Sequence, residues 1–266
     1  MTRTTSVWRE VGDRVWVRRY EALDQTIGVI GSAAGLVVID TRGNHRLADE
    51  LRRELDELPG AIAAAVNTHG HWDHAFGNAR FTDAPIWGHV RCATMIAERG
   101  DETRARLLRD YGPDAGFAEV ELTPPTNLLA EEATLDLGDR QVELRYLGRG
   151  HTDNDVIVRV ADASVLFVGD LLENAPAPGF GDSYPVAWAE TGRALLAQVD
   201  TMVVPGHGDP FDLHFAERQV AELGALAELC RDAASGAIGL DEAVRRSPFP
   251  AEPTREALNR AHLELE

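Results

Sequence analysis

The chain has 266 residues, 44% hydrophobic and 26% charged, which is typical of a soluble globular protein. Its 44 acidic residues outnumber its 26 basic ones and give a formal net charge of −18, which argues against nucleic acid and anionic membranes as partners. Every basic residue is an arginine, so lysine Schiff-base chemistry and a lysine anchor for a substrate carboxylate or phosphate are both excluded.

The two cysteines, Cys92 and Cys230, lie far apart in the sequence and give no sign of a disulfide framework. The N-terminal residues lack the apolar core of a signal peptide. No apolar run approaches the length of about 18 residues that a membrane-spanning helix needs. The sequence therefore predicts a soluble, cytoplasmic protein.

Hydrophobic periodicity predicts alternating strands and helices in the first half of the chain. The predicted elements are two strands within residues 7–20 around Gly12-Asp13, a hairpin of residues 26–30 and 36–40, a helix over 45–57, a strand over 61–68, a helix starting near Ala75, a strand over 85–90 and a helix over 90–110.

The second half begins with an irregular stretch over residues 111–130, which contains three prolines, and then returns to strands. The predicted elements are strands over 133–139, 141–148, 155–161 and 164–170, a long loop over 171–185, a helix over 187–199, a strand over 201–208 and helices in the last 55 or so residues. Strands followed by a helix, twice over, fit two sheets packed face to face with helices outside.

The segment THGHWDH at residues 68–74 has the composition of a metal site. Alternate residues of an extended segment point the same way, so His69 and His71 can bind one ion together. Asp73 and His74 lie beyond the strand end and can turn toward a second ion. The competing interpretation is a polar loop with solvated histidines, which this density of ligand-type residues after a buried strand disfavours.

Three further ligand-type residues follow predicted strands, each beside a glycine that lets the backbone turn sharply. These residues are His151 in GRGHTDND, Asp170 in SVLFVGD and His207 in TMVVPGHG. One such residue is a weak signal, whereas three together with THGHWDH indicate a shared site.

With these four motifs the sequence resembles the metallo-β-lactamase superfamily over about residues 7–215. The resemblance implies an α+β fold, a four-layer αββα sandwich with metals at one edge. It makes residues 1–215 the metallo-β-lactamase-like domain and residues 216–266 a C-terminal helical extension packed on it. It also implies the metal ligands: His69, His71 and His151 for a first ion, Asp73, His74 and His207 for a second, and Asp170 between them.

Two zinc ions per chain are the expected cofactor, with iron or manganese as alternatives. The resemblance implies a hydrolase in which a metal-bridging hydroxide attacks an ester, lactone, thioester or amide carbonyl of a small molecule, with Asp73 as the catalytic residue that orients the hydroxide's proton. An iron-dependent enzyme similar to persulfide dioxygenases is the alternative on the same fold. The full ligand set disfavours a non-enzymatic binding module. A homodimer is possible.

Departures from the family pattern reduce the number of substrate classes to consider. Many true β-lactamases of this fold have a cysteine where Asp170 stands and a lysine where Glu173 stands. An acid at position 173 repels a substrate carboxylate and argues against β-lactam hydrolysis as the main activity. An arginine, such as Arg42, is left as the kind of residue that could anchor a carboxylate. The acidic tail and the absence of a histidine shortly after Gly150-His151-Thr152 argue against glutathione thioesters. The net charge and the absence of a basic appended domain argue against a nuclease.

The remaining histidines are predicted to lie outside the site: His45 as a solvated helix-start residue, His89 as a core or surface residue, His214 as a helix-start residue and His262 as a surface residue. Asp40 is expected to hydrogen-bond a ligand histidine. Trp72 is expected either to line the pocket or to pack beneath the metal loop. The loop over residues 174–185 should border the active site.

Overall fold

The computed structural model of the protein describes residues 8–265, and two mixed sheets form its centre. The predicted first strand began at Val7, which lies outside the described residues. The first sheet has seven strands that follow one another in chain order: β1 (Arg9–Gly12), β2 (Val15–Arg19), β3 (Thr26–Ser32), β4 (Gly35–Ile39), β5 (Ile62–Val66), β6 (Ile86–His89) and β7 (Asn127–Leu129).

The second sheet has six strands, which also follow one another in chain order from one edge of the sheet to the other. These strands are β8 (Glu132–Asp136), β9 (Gln141–Tyr146), β10 (Val156–Val160), β11 (Val165–Gly169), β12 (Met202–Pro205) and β13 (Phe211–Asp212). β4, β5, β6 and β7 pair in parallel, and so do β11 and β12, while the other neighbours are antiparallel.

The helices are α1 (His45–Leu55), α2 (Trp72–Ala75), α3 (Val90–Tyr111), α4 (Pro185–Leu196), α5 (Leu213–Ala234), α6 (Leu240–Arg246) and α7 (Ala251–Leu265). Helix α1 covers the outer face of the first sheet, and α4 to α7 cover that of the second. Within residues 8–265, no helix is both long and apolar enough to cross a membrane.

Strand β4 shows why the central strands are continuously apolar. Successive side chains of a strand point to opposite faces. Val37 and Ile39 therefore lie in the core between the two sheets, while Leu36 and Val38 pack in the outer core that α1 covers. A strand buried on both faces has no position for a polar side chain, so its sequence loses the alternation of a surface strand.

Strand β11 repeats this arrangement in the second sheet. Val165 and Phe167 face the core between the sheets, and Leu166 and Val168 face the outer core. That outer core also contains buried side chains of α4, α5, α6 and α7, so the C-terminal helices cover the outer face of the second sheet. Helix α5 begins at Leu213 and crosses the predicted boundary at residue 215.

The structure differs from the predicted elements at three places. Helix α2 begins at Trp72, inside THGHWDH, and not near Ala75, because the chain turns into a helix directly after His71. The stretch predicted to be irregular contains strand β7, which pairs with β6 at the sheet edge. The short strand β13 was not predicted. Edge strands of two or three residues are too short to show a period.

Arg140, between β8 and β9, ties the two sheets together at the end of β9 away from His151. Its side chain is fully buried. It donates to the carbonyl oxygens of Gly31 at 3.0 Å and Asp13 at 2.8 Å, both in the first sheet's hairpins, and to the Asp162 carboxylate at 2.9 Å. A buried guanidinium satisfied in this way leaves several acceptors unpaired when it is removed.

We predict that Arg140→Ala lowers the free energy of unfolding by about 2–4 kcal/mol, because buried carbonyl oxygens lose their donor. Chemical denaturation monitored by circular dichroism measures this loss. The matched control is Arg14→Ala, which removes an arginine whose pair with Asp139 is exposed and should lose much less stability. Equal losses in the two variants would contradict this role for Arg140.

Candidate metal centre

The seven residues that the sequence singled out for metal binding lie together at one edge of the sandwich. They come from four segments, which follow β5, precede β10, follow β11 and follow β12. Because β11 and β12 are parallel neighbours, Asp170 and His207 leave the sheet at the same end. The backbone N–H of Thr26 donates to the carbonyl oxygen of Gly206 at 2.7 Å and joins the first sheet to this edge.

The first cluster contains His69, His71 and His151. The Nδ1 atom of His71 lies 3.1 Å from Nε2 of His69 and 2.9 Å from Nε2 of His151. One proton cannot satisfy three ring nitrogens that face one another. The lone pairs of this cluster converge on one point, as the ligands of a cation do.

The second cluster contains Asp73, His74 and His207. The Nε2 atoms of the two histidines lie 3.3 Å apart. Oδ2 of Asp73 lies 3.2 Å from Nε2 of His207 and 3.5 Å from Nε2 of His74. A carboxylate oxygen beside two imidazoles forms a mixed oxygen and nitrogen donor set.

Asp170 lies between the two clusters. Its Oδ2 atom is 3.7 Å from Nε2 of His69 and 3.5 Å from Nε2 of His151. The same oxygen is 3.5 Å from Nε2 of His74 and 3.4 Å from Nε2 of His207. One carboxylate therefore reaches two histidines of each cluster.

The donor set fits metal ions on two observations. Ligand atoms about 2.0–2.1 Å from a tetrahedral zinc lie about 3.3 Å apart, which matches the spacings within both clusters. In addition, Oδ1 of Asp170 is buried without a hydrogen-bond partner in the described part of the chain. Buried polar atoms without partners are rare in native proteins and call for an unseen partner.

Asp40 fixes the orientation of two histidines from behind. Its Oδ2 atom accepts a hydrogen bond from Nδ1 of His74 at 2.8 Å, which confirms the predicted contact to a ligand-type histidine. The Thr68 hydroxyl donates to the same carboxylate oxygen at 2.8 Å, so it accepts from Nδ1 of His69 at 3.1 Å. Both rings are thereby held with Nε2 toward the clusters.

Two other groups hold the outer nitrogens of His71 and His207. Nε2 of His71 donates to Asp182 at 3.0 Å, so the loop over residues 174–185 borders the site as predicted. Nδ1 of His207 donates to the carbonyl oxygen of Leu23 at 2.8 Å. Sequence reasoning identified neither partner, because a backbone carbonyl has no residue signature and Asp182 is one acid in an irregular loop.

Burial and charge divide the histidines into two types. Burial lowers the pKa of His151 to about 4 and that of His69 well below its usual value, so both rings are neutral near pH 7. Burial also opposes the charged form of His207, but the carboxylates of Asp170 and Asp73 outweigh it and raise its pKa to about 11. The second cluster therefore lies in a strongly negative field that favours a cation.

Glu173 adds a further acid beside the second cluster. The carboxylate of Glu173 forms a cluster with the carboxylate of Asp170 and the ring of His207. Burial and the negative charge of Asp170 raise the pKa of Glu173 well above its usual value. Gln219 of α5 fixes its backbone by donating to the Glu173 carbonyl oxygen and accepting from its N–H, both at 2.8 Å. The sequence identified this residue only as an acid at the position of a substrate anchor.

Arg42 does not reach the site as a substrate anchor. Its side chain is buried, and its guanidinium carbon lies 3.4 Å from the centre of the Tyr20 ring, so the expectation that it binds a carboxylate is wrong. His45 is also buried and not solvated, because its Nε2 accepts the N–H of Glu121 at 2.9 Å.

His89, His214 and Trp72 agree with the predictions. His89 is buried and caps the start of α3, where its Nδ1 accepts the N–H of Arg91 at 3.1 Å. His214 is exposed at the start of α5. Trp72 combines both roles considered for it, since it lines a cavity beside His71 and packs edge to face against Phe117.

Comparisons with known proteins agree with this geometry. The model of the Metallo-beta-lactamase superfamily matches residues 20–207. The chain is 26% identical over 212 residues to "Metallo-beta-lactamase type 2" of Bacillus sp. (strain 170), which covers 75% of each chain. It is 25% identical over 215 residues to the Bacillus cereus protein of the same name, covering 76% of this chain and 77% of that one.

A solved structure, "Metallo-beta-lactamase from Pontibacter korlensis", superimposes with a TM-score of 0.66 and 20% identity, covering 82% of this chain and 98% of the other. At this identity the likeness concerns the fold, and it confirms the predicted sandwich. Since the family model spans most of the chain, the protein belongs to the metallo-β-lactamase superfamily. Membership and the two clusters support a metal-dependent hydrolase in general.

We predict that Asp182→Asn weakens metal binding by about 10–100-fold, because His71 loses the carboxylate that fixes its ring. Titration of the metal-free protein with zinc in the presence of a competing chelator measures this change. Asp83→Asn is the control, since Asp83 pairs with Arg52 on the outer surface. Equal affinities in Asp182→Asn and the unaltered protein would contradict the positioning role.

Proposed function

We propose that this protein is a dinuclear zinc hydrolase that cleaves an ester, lactone, thioester or amide bond of a small molecule in the cytoplasm. The observation that carries the proposal is the position of Asp170, whose Oδ2 lies 3.4–3.7 Å from ring nitrogens of four histidines in two clusters. A carboxylate placed in this way suits two ions that share one ligand.

In this proposal His69, His71 and His151 hold the first ion, Asp73, His74 and His207 hold the second, and Asp170 contacts both. Nitrogen and carboxylate donors without cysteine suit zinc, and also iron and manganese. When bound, such ions polarise a carbonyl group and lower the pKa of water toward ~7.

Asp73 is the proposed catalytic residue. Its Oδ2 lies among the ring nitrogens of His74 and His207, and the charges of these histidines outweigh the effect of burial and hold its pKa well below the usual range. The carboxylate is therefore ionised at neutral pH and can orient the attacking water by accepting a hydrogen bond from it. Gln25 fixes the segment by donating from Nε2 to the Asp73 carbonyl oxygen at 2.5 Å.

The substrate space beside the centre suits a small molecule. A cavity of about 380 Å³ begins at His71 and Asp182 and extends along Trp72 and Phe76. Ligand sites of small molecules have volumes of about 300–1,000 Å³ and combine apolar walls with a few polar groups. Glu173 lies buried close to the second cluster and provides no positive charge to anchor a substrate carboxylate at that position, which argues against β-lactams as the main substrates.

We predict that Asp73→Asn lowers kcat for a responsive substrate by about 10²–10⁴-fold, since a neutral amide orients the attacking water and holds the second ion less well than a carboxylate. A panel of chromogenic esters, lactones, thioesters and a β-lactam measures hydrolysis, and circular dichroism checks the fold. Asp200→Asn is the control, because Asp200 pairs with Arg159 away from the centre. Near-normal rates in Asp73→Asn would contradict the role of Asp73.

Removal of metal tests whether hydrolysis depends on a bound ion, as the same proposal requires. We predict that a chelator abolishes hydrolysis and that zinc restores it, because the clustered donors alone provide no nucleophile. Activity that survives complete metal removal would contradict the proposal. Restoration by iron alone, together with oxidation of a persulfide, would support the alternative enzyme on the same fold.

A further inference from the structure

One face of α3 forms a wall of the cavity beside the metal centre. Positions three and four residues apart lie on the same side of a helix. The α3 residues that line the cavity follow this spacing: Met95, Ile96, Arg99, Gly100, Glu102, Thr103, Arg106 and Arg109. At 1.5 Å per residue, the arginine-bearing part of this wall is about 15 Å long.

The three arginines of this wall are largely unpaired. Within the described residues, the side chains of Arg99 and Arg109 form no hydrogen bond or ion pair. Arg106 has only an exposed contact with Asp110 at 3.7 Å. The guanidinium groups of this face are therefore available to a ligand.

Other arginines of α3 are used within the fold. Arg104 donates to the carbonyl oxygen of Val120 at 2.9 Å and to Asp101 at 2.7 Å. Arg91 donates to the hydroxyl of Tyr146 and to the carbonyl oxygen of Asp153, both at 3.0 Å. The helix thus separates arginines with structural partners from arginines that face the cavity.

The cavity combines this charged wall with an apolar wall. Trp72, Phe76 and Ile96 provide the apolar surface, and Trp72 is fixed by its ring contact with Phe117. The end of the cavity nearest the histidine clusters lies at His71 and Asp182. The charge of Arg99 contributes to lowering the pKa of the Asp182 carboxyl group. An occupant would place its scissile group at His71, its apolar body on Trp72 and a negative group along α3.

The α3 wall is positively charged, whereas the chain as a whole is negatively charged. The protein carries a formal charge of −18, yet this wall presents three arginines and one acid, Glu102, and the rest of the cavity lining adds one more acid, Asp182. Charges beyond about 8–10 Å are screened at physiological salt, so nearby arginines affect the electrostatic energy of a ligand in the cavity more than distant acids do. Arginine binds carboxylate and phosphate groups in bidentate geometry.

We propose that the Arg99, Arg106 and Arg109 face of α3 binds an anionic group of the substrate, a carboxylate or a phosphate separated by an apolar segment from the scissile carbonyl. This inference rests on the proposed hydrolase function and specifies its substrate class. The anion binds on the α3 wall, apart from Glu173 and the buried Arg42.

A matched series of chromogenic esters tests the proposal on the protein with its metal bound. The probes are p-nitrophenyl hexanoate, the mono-p-nitrophenyl ester of adipic acid and its analogue with a terminal phosphonate. We expect kcat/KM for an anionic ester to exceed that for the neutral ester by about tenfold or more. The better of the two anionic esters identifies carboxylate or phosphate as the group recognised.

Two triple variants with the same change of net charge separate the wall from the general field. In R99Q/R106Q/R109Q, the ratio of kcat/KM for the anionic to the neutral ester should fall about tenfold. In R53Q/R218Q/R245Q, which removes three exposed arginines elsewhere, the ratio should stay as in the unaltered protein. An unchanged ratio in the first variant, or equal losses in both, overturns the proposal.

Calorimetric binding of hexanoate and hexylphosphonate keeps the proposal testable if none of the esters is hydrolysed. Absence of hydrolysis across this series and the wider substrate panel counts against the proposed function, whereas binding concerns the wall alone. We expect R99Q/R106Q/R109Q to weaken binding of one of these anions about tenfold. Binding that the variant leaves unchanged would place the anion on the metals and overturn the inference.

Discussion

The organisation of this protein depends on a carboxylate buried among imidazoles at the edge of a sandwich. Asp170 lies within 3.7 Å of four histidine nitrogens, and one of its oxygens has no partner among the described residues. Such a group is costly to bury without positive charge beside it. The strand ends deliver that arrangement, because β5, β11 and β12 are held in fixed register by cores on both faces of each sheet.

The surrounding groups determine which nitrogen each ring presents. Asp40, Asp182 and the Leu23 carbonyl oxygen hold the outer nitrogens of His74, His71 and His207. Asp182 in turn belongs to a loop that the C-terminal helix supports. Arg260 of α7 donates to the backbone carbonyl oxygens of Ser183 and Asp182 at 3.1 and 3.3 Å. The last helix is thus connected to His71 of the first cluster through the loop that carries Asp182.

The sequence predicts the sheets, most helices and all seven clustered residues, because buried strands and a dense His/Asp motif leave strong local signals. It does not predict Asp182 or Leu23, which act through loop geometry, or β7 and β13, which are too short for a period. It misplaces Arg42 and His45, since residue type favours exposure while long-range packing against Tyr20 and the Glu121 segment buries them. Contacts between segments that are distant in the sequence cannot be predicted from a local sequence pattern.

The proposed function requires that the two clusters hold two ions that share Asp170. The most direct measurement is the metal content of the protein purified without chelator, by mass spectrometry of the native protein and elemental analysis. We expect about two zinc ions per chain and a loss of at least one in Asp170→Ala, with the fold retained. A single iron per chain, or a metal content that Asp170→Ala leaves unchanged, would contradict it.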